Sequence, residues 1–138
     1  MLDSTDMKII HLLLRKGCIP LSCIGEHTGM SQQAARKRLQ KLRQNGIVLG
    51  SSILLNERRI GWERAILALN IGRKDYLKTL ESIKAAPLVN SVYTITGPYC
   101  LAVEVLGPVG IVKEVTKYIG KMKGVEGLCP LTFVEKIK

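Results

Sequence analysis

The stretch Ser31-Gln32-Gln33-Ala34-Ala35-Arg36-Lys37-Arg38-Leu39-Gln40-Lys41-Leu42-Arg43-Gln44-Asn45-Gly46-Ile47-Val48 decides how the rest of the chain is read. Ser31 is a residue type that caps a helix by accepting a first-turn N–H, and Asn45-Gly46 is a stop signal, so one helix is predicted between them. Ala35, Leu39 and Leu42 fall on one face at spacings of 4 and 3. The opposite face carries Gln33, Arg36, Lys37, Gln40, Lys41 and Gln44, every one basic or amide-bearing. One side of this helix can pack; the other is built to meet something polar and negative.

Upstream lie two further helices. Residues 4–16 place Met7, Ile10, Leu13 and Leu14 at helical spacing, with Asp3 or Ser4 as cap, Asp6 opposing the dipole in the first turn and Gly17 as a stop. After Pro20, a short helix reads Ser22 to Thr28 and closes at Gly29. Three helices with a tight glycine-containing turn before the third describe a helix-turn-helix, whose last helix such folds insert into the major groove of DNA.

Downstream the period changes. Ile47-Val48-Leu49 and Ile53-Leu54-Leu55 flank Gly50-Ser51-Ser52 and read as strand material, which would make the motif winged. Polar residues 56–61 connect to a second unit of alternating elements. Strands are expected at 65–71, 91–96, 99–106 and 131–134. Between them come a helix at 76–85, with Leu77, Leu80 and Ile83 inward, and a helix opening at Pro108, with Val109, Val112, Val115, Thr116 and Ile119 inward. The order βαββαβ is the ferredoxin-like arrangement, an antiparallel sheet with helices on one face. Strands 65–71 and 101–105 are apolar on both sides, so the uncovered face is expected to meet another subunit. The chain is thus α+β: residues 1–50 a winged helix-turn-helix, 51–62 a linker strand and 63–138 a ferredoxin-like domain.

Composition narrows the class. The chain has 138 residues, 46% apolar and 23% charged, which fits one or two small folded domains and excludes general disorder. No apolar run approaches the roughly 18 residues a membrane span needs, and Asp3 and Asp6 stand where a secretory signal would be basic. A cytoplasmic protein is expected. Lys and Arg number 21 against 11 Asp and Glu, a net charge of +10. Five basic residues and no acid fall within residues 36–43, a strip that suits a polyanion. Cys18, Cys23, Cys100 and Cys129 form no C-x-x-C pair, and with His11 and His27 they match no common zinc spacing; they read as small buried apolar residues. Trp62, after a glycine at a domain junction, reads as a packing anchor.

These residues resemble the feast/famine, or leucine-responsive (Lrp/AsnC), transcriptional regulators. Leu2-Asp3-x-x-Asp6-x-x-Ile9-Ile10 is similar to the family's first helix, and Arg38, Leu39, Leu42, Gly46, Ile47 and Val48 fall in register with its helix-turn-helix signature. Ala35 stands where the family usually has Val. Thr96-Gly97-Pro98-Tyr99-Cys100-Leu101-Ala102-Val103-Glu104-Val105 is similar to the effector domain's T-G-x-Y-D-x-x-x-x-V segment. The resemblance implies a sequence-specific regulator of double-stranded DNA, assembled as a homodimer, tetramer or octamer. It also implies a small effector, commonly an amino acid, bound between subunits; no cofactor or metal is implied. Cys100 replaces the family's Asp, and a thiol is a poor partner for an ammonium group.

The DNA-contacting candidates are Ser31, Gln32, Gln33, Arg36, Lys37, Arg38 and Lys41. Gln can bind adenine and Arg guanine in two-pronged fashion, which selects Gln33, Arg36 and Lys37 as groove readers. Lys41 and Arg43 suit phosphates. Arg38 lies toward the packed side, where it either braces the domain or reaches a phosphate. Ser31 is a cap whose N–H and hydroxyl suit a phosphate as well. Thr96, Gly97, Tyr99 and Cys100 are the effector candidates, against the alternative of a plain tight turn.

Two other functions compete. Siroheme decarboxylases share this architecture, but their chemistry needs His or Arg around a cavity in the second domain. Both histidines here are in the first, and beyond Trp62 the only arginines are Arg64 and Arg73. An architectural protein with little sequence preference is compatible with the net charge.

Overall fold

The computed structural model describes residues Met1–Lys138, which divide into two compact units, Met1–Leu55 and Asn56–Lys138. The first contains α1 (Ser4–Lys16), α2 (Leu21–Thr28) and α3 (Gln32–Gln44). Asp3 caps α1 by accepting the Asp6 N–H at 2.8 Å, and the Asp6 carboxylate accepts the Asp3 N–H at 3.2 Å, so two orphan donors satisfy each other's residues. Pro20 precedes α2, and Gly29, in the left-handed region at φ 70°, ends it.

The core of this unit is Ile9, Ile24, Ala35 and Leu42, surrounded by Ile10, Leu13, Ile19, Leu21, Met30, Leu39 and Val48. The apolar stripe of α1 is therefore centred on Ile9. Met7 and Leu14, expected inward, are 39% and 77% exposed, because the stripe through Ile9, Ile10 and Leu13 already fills the space against α2 and α3. The wing is absent. Residues 47–55 form no strand, and Leu49, Ile53 and Leu54 are exposed. A strand needs a ladder partner, and this three-helix unit offers no edge. The Ile47 and Val48 N–H groups instead donate to the Leu42 carbonyl, at 2.9 and 3.2 Å, and close the end of α3.

The second unit opens with a 3-10 turn at Glu57–Ile60 and continues as β1 (Trp62–Ile71), α4 (Tyr76–Lys84), β2 (Val89–Thr94), β3 (Leu101–Pro108), α5 (Ile111–Gly120) and β4 (Val125–Thr132). The sheet order is β2-β3-β1-β4, all neighbours antiparallel, which is the ferredoxin-like topology. Ala65, Leu67, Leu69 and Ile71 of β1 and Leu101, Val103 and Val105 of β3 point to one face, where Ile83 of α4 and Ile111, Val112, Val115 and Ile119 of α5 cover them. Alternation sends Ile66, Ala68, Ala102 and Leu106 to the other face, together with Arg64 and Glu104, whose charged groups approach to 3.8 Å.

Element edges differ from the sequence expectation for identifiable reasons. Leu77 is 76% exposed, because α4 turns Tyr76, Thr79, Leu80 and Ile83 inward instead. The Thr79 hydroxyl donates to the Lys123 carbonyl at 2.7 Å, which makes a polar residue acceptable there. Val109 is 73% exposed because α5 starts at Ile111. The Glu63 carboxylate, reaching over from β1, accepts the N–H groups of Gly110 and Val112 at 2.9 Å each and so fixes that start. The last strand covers Val125–Thr132 rather than 131–134; Pro130 within it is tolerated because β4 is an edge strand. Trp62 begins β1 at 36% exposure, more rim than anchor. None of the four cysteines is buried: Cys18 is exposed and the other three are intermediate.

Candidate nucleic-acid interface and effector turn

The geometry of α3 starts with its cap. Ser31, in extended conformation, accepts the Ala34 N–H on its hydroxyl at 3.2 Å. With the helix rotation set by burial of Ala35 and Leu42, Gln32, Gln33, Arg36, Lys37, Gln40 and Lys41 are all exposed. None of Arg36, Lys37, Lys41 and Arg43 forms an ion pair within the chain. The first turn of α3 contains no acid, so the positive end of the helix dipole adds to the field at its tip.

Arg38 is placed differently. Its Nη1 donates to Asp3 Oδ2 at 2.5 Å and to Asp6 Oδ1 at 2.9 Å, which ties the middle of α3 to the capping box of α1. Of the two roles open to it, the structure shows the brace. The Asp3 carboxyl is held below its ordinary pKa, first by the Asp6 N–H it accepts and then by Arg38, while the Arg38 pKa is raised by both carboxylates. The partner residues were within reach of sequence reasoning: the acidic pair at Asp3 and Asp6 faces the only basic residue on the inner side of α3.

In the second unit, Thr96 and Gly97 are exposed, Tyr99 and Cys100 are half-buried, and Gly97 takes φ 127° in the turn. The turn is clamped by Asn70, a residue the sequence reading did not single out. Its Nδ2 donates to the Pro98 carbonyl at 2.9 Å, and its Oδ1 accepts the Cys100 N–H at 2.8 Å. The Cys100 thiol lies 3.6 Å from the Leu69 carbonyl and packs on the core, so it is turned away from open space. Cys129 on β4 adjoins Tyr99, and the neighbouring thiol is the first cause of the raised pKa of the Tyr99 phenol. Gly127 completes the cluster, its Cα side lying against Asn70 and Tyr99. A single asparagine at the end of the apolar run 65–71 was the available signal for this clamp.

No helix is long and apolar enough to cross a membrane. Of the two arginines beyond Trp62, Arg64 is held by Glu57 at 2.8 Å and by Glu104.

A three-helix unit with a capped, solvent-facing cationic third helix defines a helix-turn-helix DNA-binding protein, here joined in one chain to a ferredoxin-like unit. Residues 2–43 match the AsnC-type helix-turn-helix domain family. Over 107 residues the chain is 32% identical to the HTH-type transcriptional regulator Ptr1 of Methanocaldococcus jannaschii, covering 75% of this chain and 72% of that one. It is 26% identical over 141 residues to the HTH-type transcriptional regulator LrpA of Pyrococcus horikoshii, end to end in both. A crystal structure of a Neisseria meningitidis transcriptional regulator in complex with L-Met superposes with a TM-score of 0.81 at 22% identity, covering 100% of this chain and 93% of that one. The chain belongs to the Lrp/AsnC family and is a DNA-binding transcriptional regulator.

Proposed function

We propose that the protein reads its operator with the exposed side of α3. Gln33, Arg36 and Lys37 contact base edges in the major groove; Gln32, Lys41 and the Ser31 N–H contact flanking phosphates. Two subunits, joined through the open face of the sheet, present two such helices to successive grooves about 34 Å apart or a multiple of that. The observation that carries this reading is the division of labour on α3: Arg38 is engaged by Asp3 and Asp6, while Arg36 and Lys37 are exposed and unpaired.

The turn at residues 96–100, with Asn70 and Cys129, is the effector site in this reading. With Cys100 in place of a carboxylate, the turn itself supplies no counter-charge for an amino-acid ammonium, so its part in holding the ligand falls to backbone and amide groups. That the related Neisseria regulator is seen with L-Met supports an amino acid as the ligand class.

Selection of genomic fragments by the purified protein, repeated with each amino acid, tests both halves of the proposal. Enrichment of a common palindromic motif is expected, with at least one amino acid altering its occupancy. Arg36→Ala combined with Lys37→Ala is expected to remove the motif preference while leaving the circular dichroism spectrum intact, each lost bidentate base contact weakening discrimination by about 1–3 kcal/mol. An unchanged motif with this double variant overturns the assignment of groove readers.

A further inference from the structure

The second unit holds a cationic surface that the proposed reading of α3 does not use. Its charge is not spread evenly. Residues 73–86 and 111–124, which contain α4 and α5, hold eight Lys or Arg against Asp75, Glu81 and Glu114, a net of +5. The rest of the unit, residues 56–72, 87–110 and 125–138, contains five basic and five acidic side chains and is neutral. Both helices pack on the same face of the sheet, through one shared core. The Thr79 hydroxyl of α4 donates to the Lys123 carbonyl in the connection that follows α5.

Intramolecular pairing does not account for the excess. Lys84 is matched by Glu81 at 2.8 Å, and Lys123 approaches Asp75 at 3.7 Å. Arg73, Lys74, Lys78, Lys113, Lys117 and Lys121 form no ion pair, and all six are exposed. Lys113, Lys117 and Lys121 recur every four residues along α5 and just past its end, which sets them in one row with steps of about 6 Å. Helix-dipole compensation explains a lysine in the last turn, at Lys117, but not one in the first, at Lys113.

We infer that the outer surface of α4 and α5 is a second DNA-backbone contact, one that holds duplex flanking the operator through phosphates without reading sequence. The inference rests on the DNA-binding role of the chain and extends it from the helix-turn-helix unit to the other one. Duplex DNA presents one negative charge per about 1.7 Å of axis, and a row of flexible ammonium groups on a rigid helix gains affinity by releasing condensed counterions. Lysines, as point charges without a fixed fork, fit such a non-specific role better than base recognition.

The test uses the full chain and two duplexes, one limited to the selected operator and one carrying long neutral-sequence flanks. Wild type binds the flanked duplex more tightly and with a steeper salt dependence. The triple variant Lys113→Gln, Lys117→Gln, Lys121→Gln loses this gain. Its slope of log K against log salt becomes shallower by about 0.9 for each phosphate contact removed, so up to roughly 500-fold in affinity at 0.1 M salt for three contacts. Operator preference over random short duplex is unchanged. Lys→Arg at the same three positions restores the gain. A control removing three charges from the neutral remainder, Arg59→Gln, Lys136→Gln and Lys138→Gln, leaves it in place.

If the α5 triple keeps the wild-type gain, or the control loses as much, the inference is overturned while the reading of α3 stands. If the Arg36→Ala, Lys37→Ala protein keeps its operator preference, the reading of α3 fails and the flank measurement still decides this surface.

Discussion

Asp3 does two jobs with one carboxylate: it caps α1 through the Asp6 N–H and accepts from Arg38 on α3. Both interactions favour the ionised form, so its native pKa lies below the value of about 3.9 that an unfolded Asp shows. A carboxyl whose pKa is lowered by folding adds stability that is complete above the unfolded value and is lost as pH falls through the native one. Thermal melts followed by circular dichroism are therefore expected to show wild type losing stability below about pH 4 more steeply than Asp3→Asn, which retains capping ability but carries no charge. Identical pH profiles for the two proteins would show that the clasp contributes nothing in solution. The same pairing engages Nη1 of Arg38 and sets it apart from Arg36 and Lys37, two and one residues away.

The turn between α2 and α3 fixes how α3 projects, and it folds back closely against Gly25 of α2. A Cβ there would lie 2.6 Å from the Met30 carbonyl oxygen, a backbone atom that cannot rotate away. Gly25→Ala is expected to destabilise the protein by about 1–3 kcal/mol in urea denaturation and to weaken operator binding, since the turn must open to admit the methyl group. This contact is invisible in sequence, where Gly25 looks like one more small residue in a short helix. What could be read was whatever local chemistry dictates: the three helices, their caps at Ser31 and Gly29, and the outward position of Arg36 and Lys37. Elements that depend on a partner were misjudged. Apolar residues 47–55 resemble strands, but the three-helix unit they follow offers no edge for them to join. Leu77 and Val109 resemble core, yet Tyr76 and Ile111 occupy it, because the helix start at Ile111 is set by Glu63, 48 positions earlier in the chain. The Asn70 clamp on residues 98–100 was missed for the same reason: its significance lies in a neighbour 28 residues away.

For the molecule as a whole, charge is partitioned between two surfaces, the outer side of α3 in one unit and the α4–α5 layer in the other. The first unit ends in the segment 49–55, which makes no backbone hydrogen bond within the chain. Its composition has a practical consequence. Leu-Gly-Ser-Ser-Ile-Leu-Leu offers neither lysine nor arginine, in a chain that has 21 of them. A protease must draw its target out as an extended thread, and this stretch has no helix or strand to undo first. Thermolysin, which selects bulky aliphatic residues, is expected to nick the native protein here first and release two resistant fragments near 50 and 85 residues, readable by mass spectrometry, as expected for an exposed loop. Trypsin, for all the sites the composition gives it, has nothing to hold in this seam.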